Sequence, residues 1–114
     1  MADAGESWID VAAESEVAGV MPRHVVIDGE GWLLCRDARG VHAVQETCPH
    51  KNESMRYGVV MGTSITCPHH QWTFDLETGR CAVRRRCPPL RTLPVRIVDG
   101  RVHVQRPQHP SQAG

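Results

Sequence analysis

Short runs rich in β-branched and apolar residues, each closed by a turn signal, dominate the middle and the end of the chain. Residues 23–28 (RHVVID), 31–37 (GWLLCRD) and 41–46 (VHAVQE) are three such runs, separated by Asp28-Gly-Glu-Gly31 and Asp37-Ala-Arg-Gly40. Runs of this length and composition suit strands, and the intervening signals turn the chain back on itself, so residues 23–46 read as an antiparallel meander. Further runs lie at 63–67, 72–75, 94–99 and 101–105, the last two meeting at Asp99-Gly100 as a hairpin. Helical periodicity is weak throughout; its best showing is a turn near residues 14–20, which contains Gly19. Beyond Gln105 the segment RPQHPSQAG is expected to fray. The pattern predicts one all-β domain over residues 1–106, followed by a flexible tail at 107–114.

Composition narrows this picture. A chain of 114 residues that is 40% apolar supports one small core, of the kind metal ligation commonly reinforces. Thirteen basic and thirteen acidic residues balance, so net charge does not favour non-specific binding to nucleic acid or anionic lipid. The distribution is uneven: residues 1–20 hold five carboxylates and no Lys or Arg, whereas 80–106 hold eight Arg and only Asp99 on the acidic side. The start, MADAGESWID, lacks a cationic and apolar leader, and no stretch approaches the ~20 apolar residues that span a bilayer. A soluble cytoplasmic protein with no membrane or nucleic-acid partner is expected. Of five cysteines, Cys35 lies in an apolar run and reads as a buried small hydrophobe, while Cys81 and Cys87 are expected to be free thiols in reducing surroundings.

The remaining cysteines carry the chemistry. Cys48-Pro-His50 and Cys67-Pro-His-His70 form C-x-H and C-x-x-H motifs sixteen residues apart. Each offers one thiolate and one imidazole, which suits a [2Fe-2S] cluster needing two sulfurs on one iron and two imidazoles on the other. Each cysteine also follows a β run that ends in a proline-bearing turn, so two hairpin tips can face one another, and the prolines lower the entropy lost on ordering them. The C-x-x-H register takes His70 as the ligand and leaves His69 as its neighbour. A structural zinc site is the competing reading, although zinc ligand pairs more often read C-x₂₋₄-C with H-x₃₋₅-H.

With Gly58, Trp72-Thr-Phe-Asp75, Thr78-Gly79 and the Pro94–Gly100 ending, these motifs make the chain resemble the Rieske-type ferredoxins from about Trp8 to Val104. The resemblance implies an antiparallel β sandwich carrying a small two-loop cluster-binding subdomain at about residues 47–90. It places Cys48 and Cys67 on the inner ferric site, and His50 and His70 on the outer, more exposed iron. It also implies an electron carrier and not an enzyme: a monomer taking single electrons from an NADH-dependent flavoprotein reductase to a terminal oxygenase. The His70–Phe74 stretch looks like ferredoxins of diiron monooxygenases, with aromatic-ring dioxygenases close behind. The small subunit of an assimilatory nitrite reductase and a cluster-bearing redox sensor are the alternatives from other classes.

Departures from the family refine the expectation. The chain lacks the extra loop cysteines and the Ser and Tyr hydrogen-bond donors of respiratory relatives, which implies a potential near the lower end of roughly −150 to +300 mV. Ser54 and Met55 stand where relatives usually have a Pro-Leu-like pair, so packing beneath the first loop is open. Trp72 is expected to pack under the cluster loop, Asn52 and Gly58 to supply permissive backbone, and Cys87-Pro-Pro-Leu90 to shield the sulfides. His24, His42, His103 and His109 read as ordinary strand or surface residues. Arg84, Arg85 and Arg86 read either as a solvated loop or as a dock for an acidic partner. Docking predicts that charge reversal at these three positions slows electron transfer and flattens its salt dependence while the cluster potential stays put; stopped-flow kinetics across ionic strength reads the outcome.

Overall fold

A computed structural model describes residues 8–49, 53–68, 72–82 and 88–107. Among the described residues ten strands and one 3₁₀ turn follow in order: β1 (Trp8–Ala13), the turn Glu14–Glu16, β2 (Arg23–Ile27), β3 (Glu30–Asp37), β4 (Gly40–Gln45), β5 (Val59–Met61), β6 (Ser64–Thr66), β7 (Thr73–Asp75), β8 (Thr92–Leu93), β9 (Val95–Val98) and β10 (Arg101–Gln105). They form three antiparallel sheets, β1-β10-β9, β2-β3-β4-β8 and β5-β6-β7.

The expected meander is β2-β3-β4, and its turns explain themselves. Ile27 pairs with Glu30 and Val98 with Arg101, leaving Asp28-Gly29 and Asp99-Gly100 as two-residue connections. All four of these residues have positive φ, the conformation that a tight hairpin with the native strand twist demands. Asp-Gly satisfies it because glycine has no Cβ and Asp tolerates the left-handed region.

β3 organises the interior. Its side chains alternate between faces, yet both faces are covered: Trp32 and Leu34 pack with Ala12, Val17, Ile27, Ala43, Val102 and Val104, while Leu33 and Cys35 pack with Val44, Met55, Ile65, Phe74, Leu76 and Leu90. One face therefore builds the sandwich core with the first sheet. The other builds a second core beneath the small sheet. Burial on both sides also explains why this run is so continuously apolar, unlike a strand with one wet face.

Three strands were not expected, each for a physical reason. β1 contains a bulge between Asp10 and Ala12 that breaks its two-residue alternation. β5 has three residues and β8 has two, too few for a period to register. Pro94 separates β8 from β9, so the run expected at 94–99 is shorter, as the missing amide of proline requires. At the start of the segment expected to fray, Arg106 bonds Asp28 at 2.5 Å and Pro107 is buried. The rest of the expected tail, 108–114, lies outside the described residues.

Phe74 pairs with Ile65 across β6 and β7 and is fully buried in the second core. Phe74→Ala should lower stability by about 3–5 kcal/mol, read as a drop in urea midpoint at unchanged m-value.

Candidate metal centre

The two motif cysteines occupy equivalent places in two loops of the same build. Thr47 precedes Cys48 and pairs with Ser54; Thr66 precedes Cys67 and pairs with Thr73. Inside each pair the cysteine closes its loop by the same bond. The Cys48 amide donates to the Glu53 carbonyl at 2.7 Å, and the Cys67 amide donates to the Trp72 carbonyl at 2.7 Å. Both bonds span five residues from a Thr-Cys-Pro-His start, so the loops are local repeats on an otherwise non-repeating chain.

Both cysteines are buried and belong to the same apolar cluster, roofed by Met55, Ile65, Phe74 and Leu90, with partly buried Trp72 packed against it. Trp72 thus does the packing expected of it, and Met55 fills the space beneath the first loop. Cys35, Cys48 and Cys67 stand outside disulfides. Cys35 is inert as a nucleophile: burial, reinforced by the Asp37 charge, pushes its thiol up to about 12.

Cys81 corrects an expectation, because it is disulfide-bonded and not a free thiol. Compartment chemistry argued for the thiol, but it carries no geometric information. The turn after β7 folds Cys81 back beside Phe74 in a β-bridge. Cys87 lies outside the described residues, as do His50, Asn52, His69, His70, Arg84, Arg85, Arg86 and His109.

The bases of the loops are tied to the larger sheet by side chains. Gln45 Nε2 donates to the Thr47 carbonyl at 2.5 Å and its Oε1 accepts from the Arg91 amide at 2.6 Å, linking the first loop to Arg91, the residue after Leu90. Leu90 donates through its amide to the Gly79 carbonyl at 2.8 Å, and a Cβ on Gly79 would lie 2.2 Å from the Leu90 carbonyl oxygen. Gly58 is likewise a matter of space: its φ is not left-handed, as permissive backbone would have required, and a Cβ there would lie 2.7 Å from the Thr66 carbonyl.

Glu46, absent from the sequence expectations, sits at the stem of the first loop. Its carboxylate accepts from Ser54 Oγ at 2.6 Å and lies 3.0 Å from His24 Nε2. The Ser54 hydroxyl holds this carboxyl below the usual range against burial, with His24 and Arg56 adding to the effect. The only sequence signal was Gly31, a glycine inside a strand whose neighbours are large.

A match to the Rieske [2Fe-2S] domain model over residues 7–94 decides the family. The chain is a Rieske protein. It is 37% identical over 88% of its length to the ferredoxin component of a 2,4-dinitrotoluene dioxygenase system from Burkholderia sp. (strain RASC), covering 96% of that relative. Among solved structures it is similar to a Sphingomonas yanoikuyae B1 ferredoxin, with TM-score 0.79, 27% identity and coverage of 87% of this chain and 98% of that one. A complex of reduced oxygenase and oxidized ferredoxin in carbazole 1,9a-dioxygenase matches with TM-score 0.79 and 28% identity, over 90% of this chain and 95% of that one.

The described residues suit the Rieske cluster. Two buried cysteines in one apolar cluster, each on a loop closed through the same amide bond, match the thiolate half of the donor set.

A charge network joins the β3–β4 hairpin to the turn after β7. Arg39 bonds Asp37 at 2.8 Å and Glu77 more closely, and lies 3.8 Å from Asp75; His42 Nε2 lies 2.9 Å from Asp37. Burial opposes ionisation of Asp37, but the hydrogen bonds from Arg39 and His42 outweigh it and hold the carboxyl at about 2, against an ordinary 3.8. A depressed carboxyl stabilises the fold at pH values above its ordinary one, and the benefit is lost as pH falls from about 4 toward 2. Asp37→Asn should therefore be less stable at pH 7 and should flatten the stability profile across that acid window, as measured by urea melts at a series of pH values.

Proposed function

We propose that Cys48 and Cys67 ligate the inner iron of a [2Fe-2S] cluster and His50 and His70 the outer one, within a single domain over residues 1–106 whose cluster-binding part spans about 47–90. The observation that carries this reading is the matched pair of loops, each holding a buried cysteine at the same step of the same amide bond. When bound, the cluster supplies a one-electron redox couple, less negative than an all-thiolate one because two imidazoles replace two thiolates.

The protein is an electron-transfer component and not itself a catalyst. It carries single electrons from an NADH-dependent flavoprotein reductase to a terminal oxygenase, in the cytoplasm and as a monomer, at a potential in the lower part of the Rieske range. Among the described residues no helix is long and apolar enough to cross a membrane. Of the two oxygenase classes, an aromatic-ring dioxygenase is favoured over a diiron monooxygenase, because the relatives matched along nearly their whole length are ferredoxin components of dioxygenase systems. What the described residues contribute is a buried apolar seat for the two sulfurs, each cysteine held by the amide bond that closes its loop.

Purified protein should contain iron and acid-labile sulfide without zinc, and after reduction should give a rhombic low-g paramagnetic resonance. His70→Cys should alter or abolish that spectrum, and His69→Ala should leave it intact. Added to reductase and oxygenase, the wild type should restore NADH-driven turnover. Zinc in place of iron, the reverse pattern for the two histidines, or stable co-purification with a large sirohaem flavoprotein would overturn the reading.

A further inference from the structure

Gly31 has no conformational reason to be glycine. It lies within β3, its φ is not left-handed, and the turn before it already has Gly29. What it supplies is room: a Cβ at Gly31 would lie 1.9 Å from Glu46 Oε1, 3.1 Å from Glu46 Cδ and 3.2 Å from His24 Nε2. Contacts of 1.9 Å do not occur, and the displaced group would be a carboxylate with two partners already in place. Glu46 uses the gap to lie across β3, with Oε1 on His24 and Oε2 accepting from Ser54 Oγ at 2.6 Å.

The partners matter because of where they sit. Glu46 and Ser54 stand on the two sides of the first loop stem: Thr47 pairs with Ser54, and the Met55 amide donates to the Glu46 carbonyl at 2.8 Å. Ser54 Oγ also accepts from the Arg56 amide at 3.1 Å, so the hydroxyl is used in both directions. In the corresponding place of the second loop, Thr66 Oγ1 meets Thr73 Oγ1 at 3.2 Å, a neutral contact where the first loop has a charge-assisted one.

We propose that Glu46 is a positioning residue for the first cluster loop, seated in the gap left by Gly31 and locked to the far side of the loop stem through Ser54. This rests on the assignment of Cys48 as a ligand. By holding Glu46 and Ser54 on the two sides of the loop stem at a fixed separation, the lock keeps Cys48 in place and slows loss of iron from its sulfur.

The test compares Gly31→Ala, Glu46→Gln, Ser54→Ala, Ser54→Thr and the Glu46→Gln/Ser54→Ala pair in cluster-loaded protein. Three readouts are used: amide hydrogen exchange at Met55, iron release to a chelator, and the resonance of the reduced cluster. Losing a charge-assisted hydrogen bond should speed both Met55 exchange and iron release by at least about tenfold. Gly31→Ala should do so without touching either bonding group, the double variant should add little to either single one, and Ser54→Thr, which keeps the hydroxyl, should restore wild-type rates. The resonance should shift in the three disrupting variants and return in Ser54→Thr, which a general loss of stability would not produce. Wild-type exchange, release and resonance in Gly31→Ala and Ser54→Ala would overturn the lock. If wild-type protein gave no resonance, the ligand assignment would fall, whereas Met55 exchange would still decide the lock.

Discussion

Everything in this molecule hangs on β3 being buried on both faces. Trp32 and Leu34 close the sandwich on one side, and Leu33 and Cys35 floor the second core on the other, so one strand ties the scaffold to the loops that carry the cysteines. β4 repeats the division, with Ala43 in the first core and Val44 in the second. Because the strand pair is shared, the small sheet cannot shift against the sandwich without opening both cores. A chain of 114 residues has little surface to bury, and sharing a strand lets two small cores act as one cooperative unit.

Much of this was legible in advance, and the legible part has a common cause. The meander, the final hairpin and the all-β character depend on local chemistry: Asp-Gly turns, β-branched runs and alternation report themselves within a few residues. The motif cysteines stood out for another reason, since thiolate and imidazole at fixed spacing have few structural uses, and the structure places both cysteines in one buried cluster. β1, β5 and β8 were not readable because a bulge or a length of two or three residues erases the period. Gly58 was read as a matter of φ when it is one of space, a distinction that needs the Thr66 carbonyl 2.7 Å away. Cys81 was misjudged because redox compartment speaks to the average protein and the Phe74 bridge speaks to this one.

The side chains that tie the loops down were the least visible. Gln45, Glu46 and Arg39 are polar residues at strand ends, where a sequence offers dozens of equivalent candidates. Their partners lie far along the chain: Gln45 reaches Arg91, Glu46 reaches His24, and Arg39 reaches Glu77. Such pairings depend on strand register, which periodicity predicts only to within a residue or two, and a slip of one residue turns a side chain to the opposite face. Gly31 is the exception. A glycine in a strand that is otherwise Trp, Leu and Cys asks what approaches it, and the answer is the Glu46 carboxylate.

These ties hold the stems of the two cysteine-bearing loops. Neither loop, over its described residues, lies in a strand. Each is instead closed by one amide bond of 2.7 Å and then anchored from outside, the first loop by Glu46 and Gln45 and the second by its place between β6 and β7. The asymmetry follows from topology. The second loop joins adjacent strands of one sheet and inherits their register, whereas the first leaves β4 in one sheet and reaches β5 in another, its ends joined by the isolated Thr47–Ser54 bridge and the Met55-to-Glu46 backbone bond and reinforced by side chains. Charge-assisted bonds therefore belong at the first loop, where the backbone supplies least. A carrier that exchanges electrons in both directions needs similar geometry in both redox states, and in this fold that demand falls on Glu46 and its partners more than on any strand.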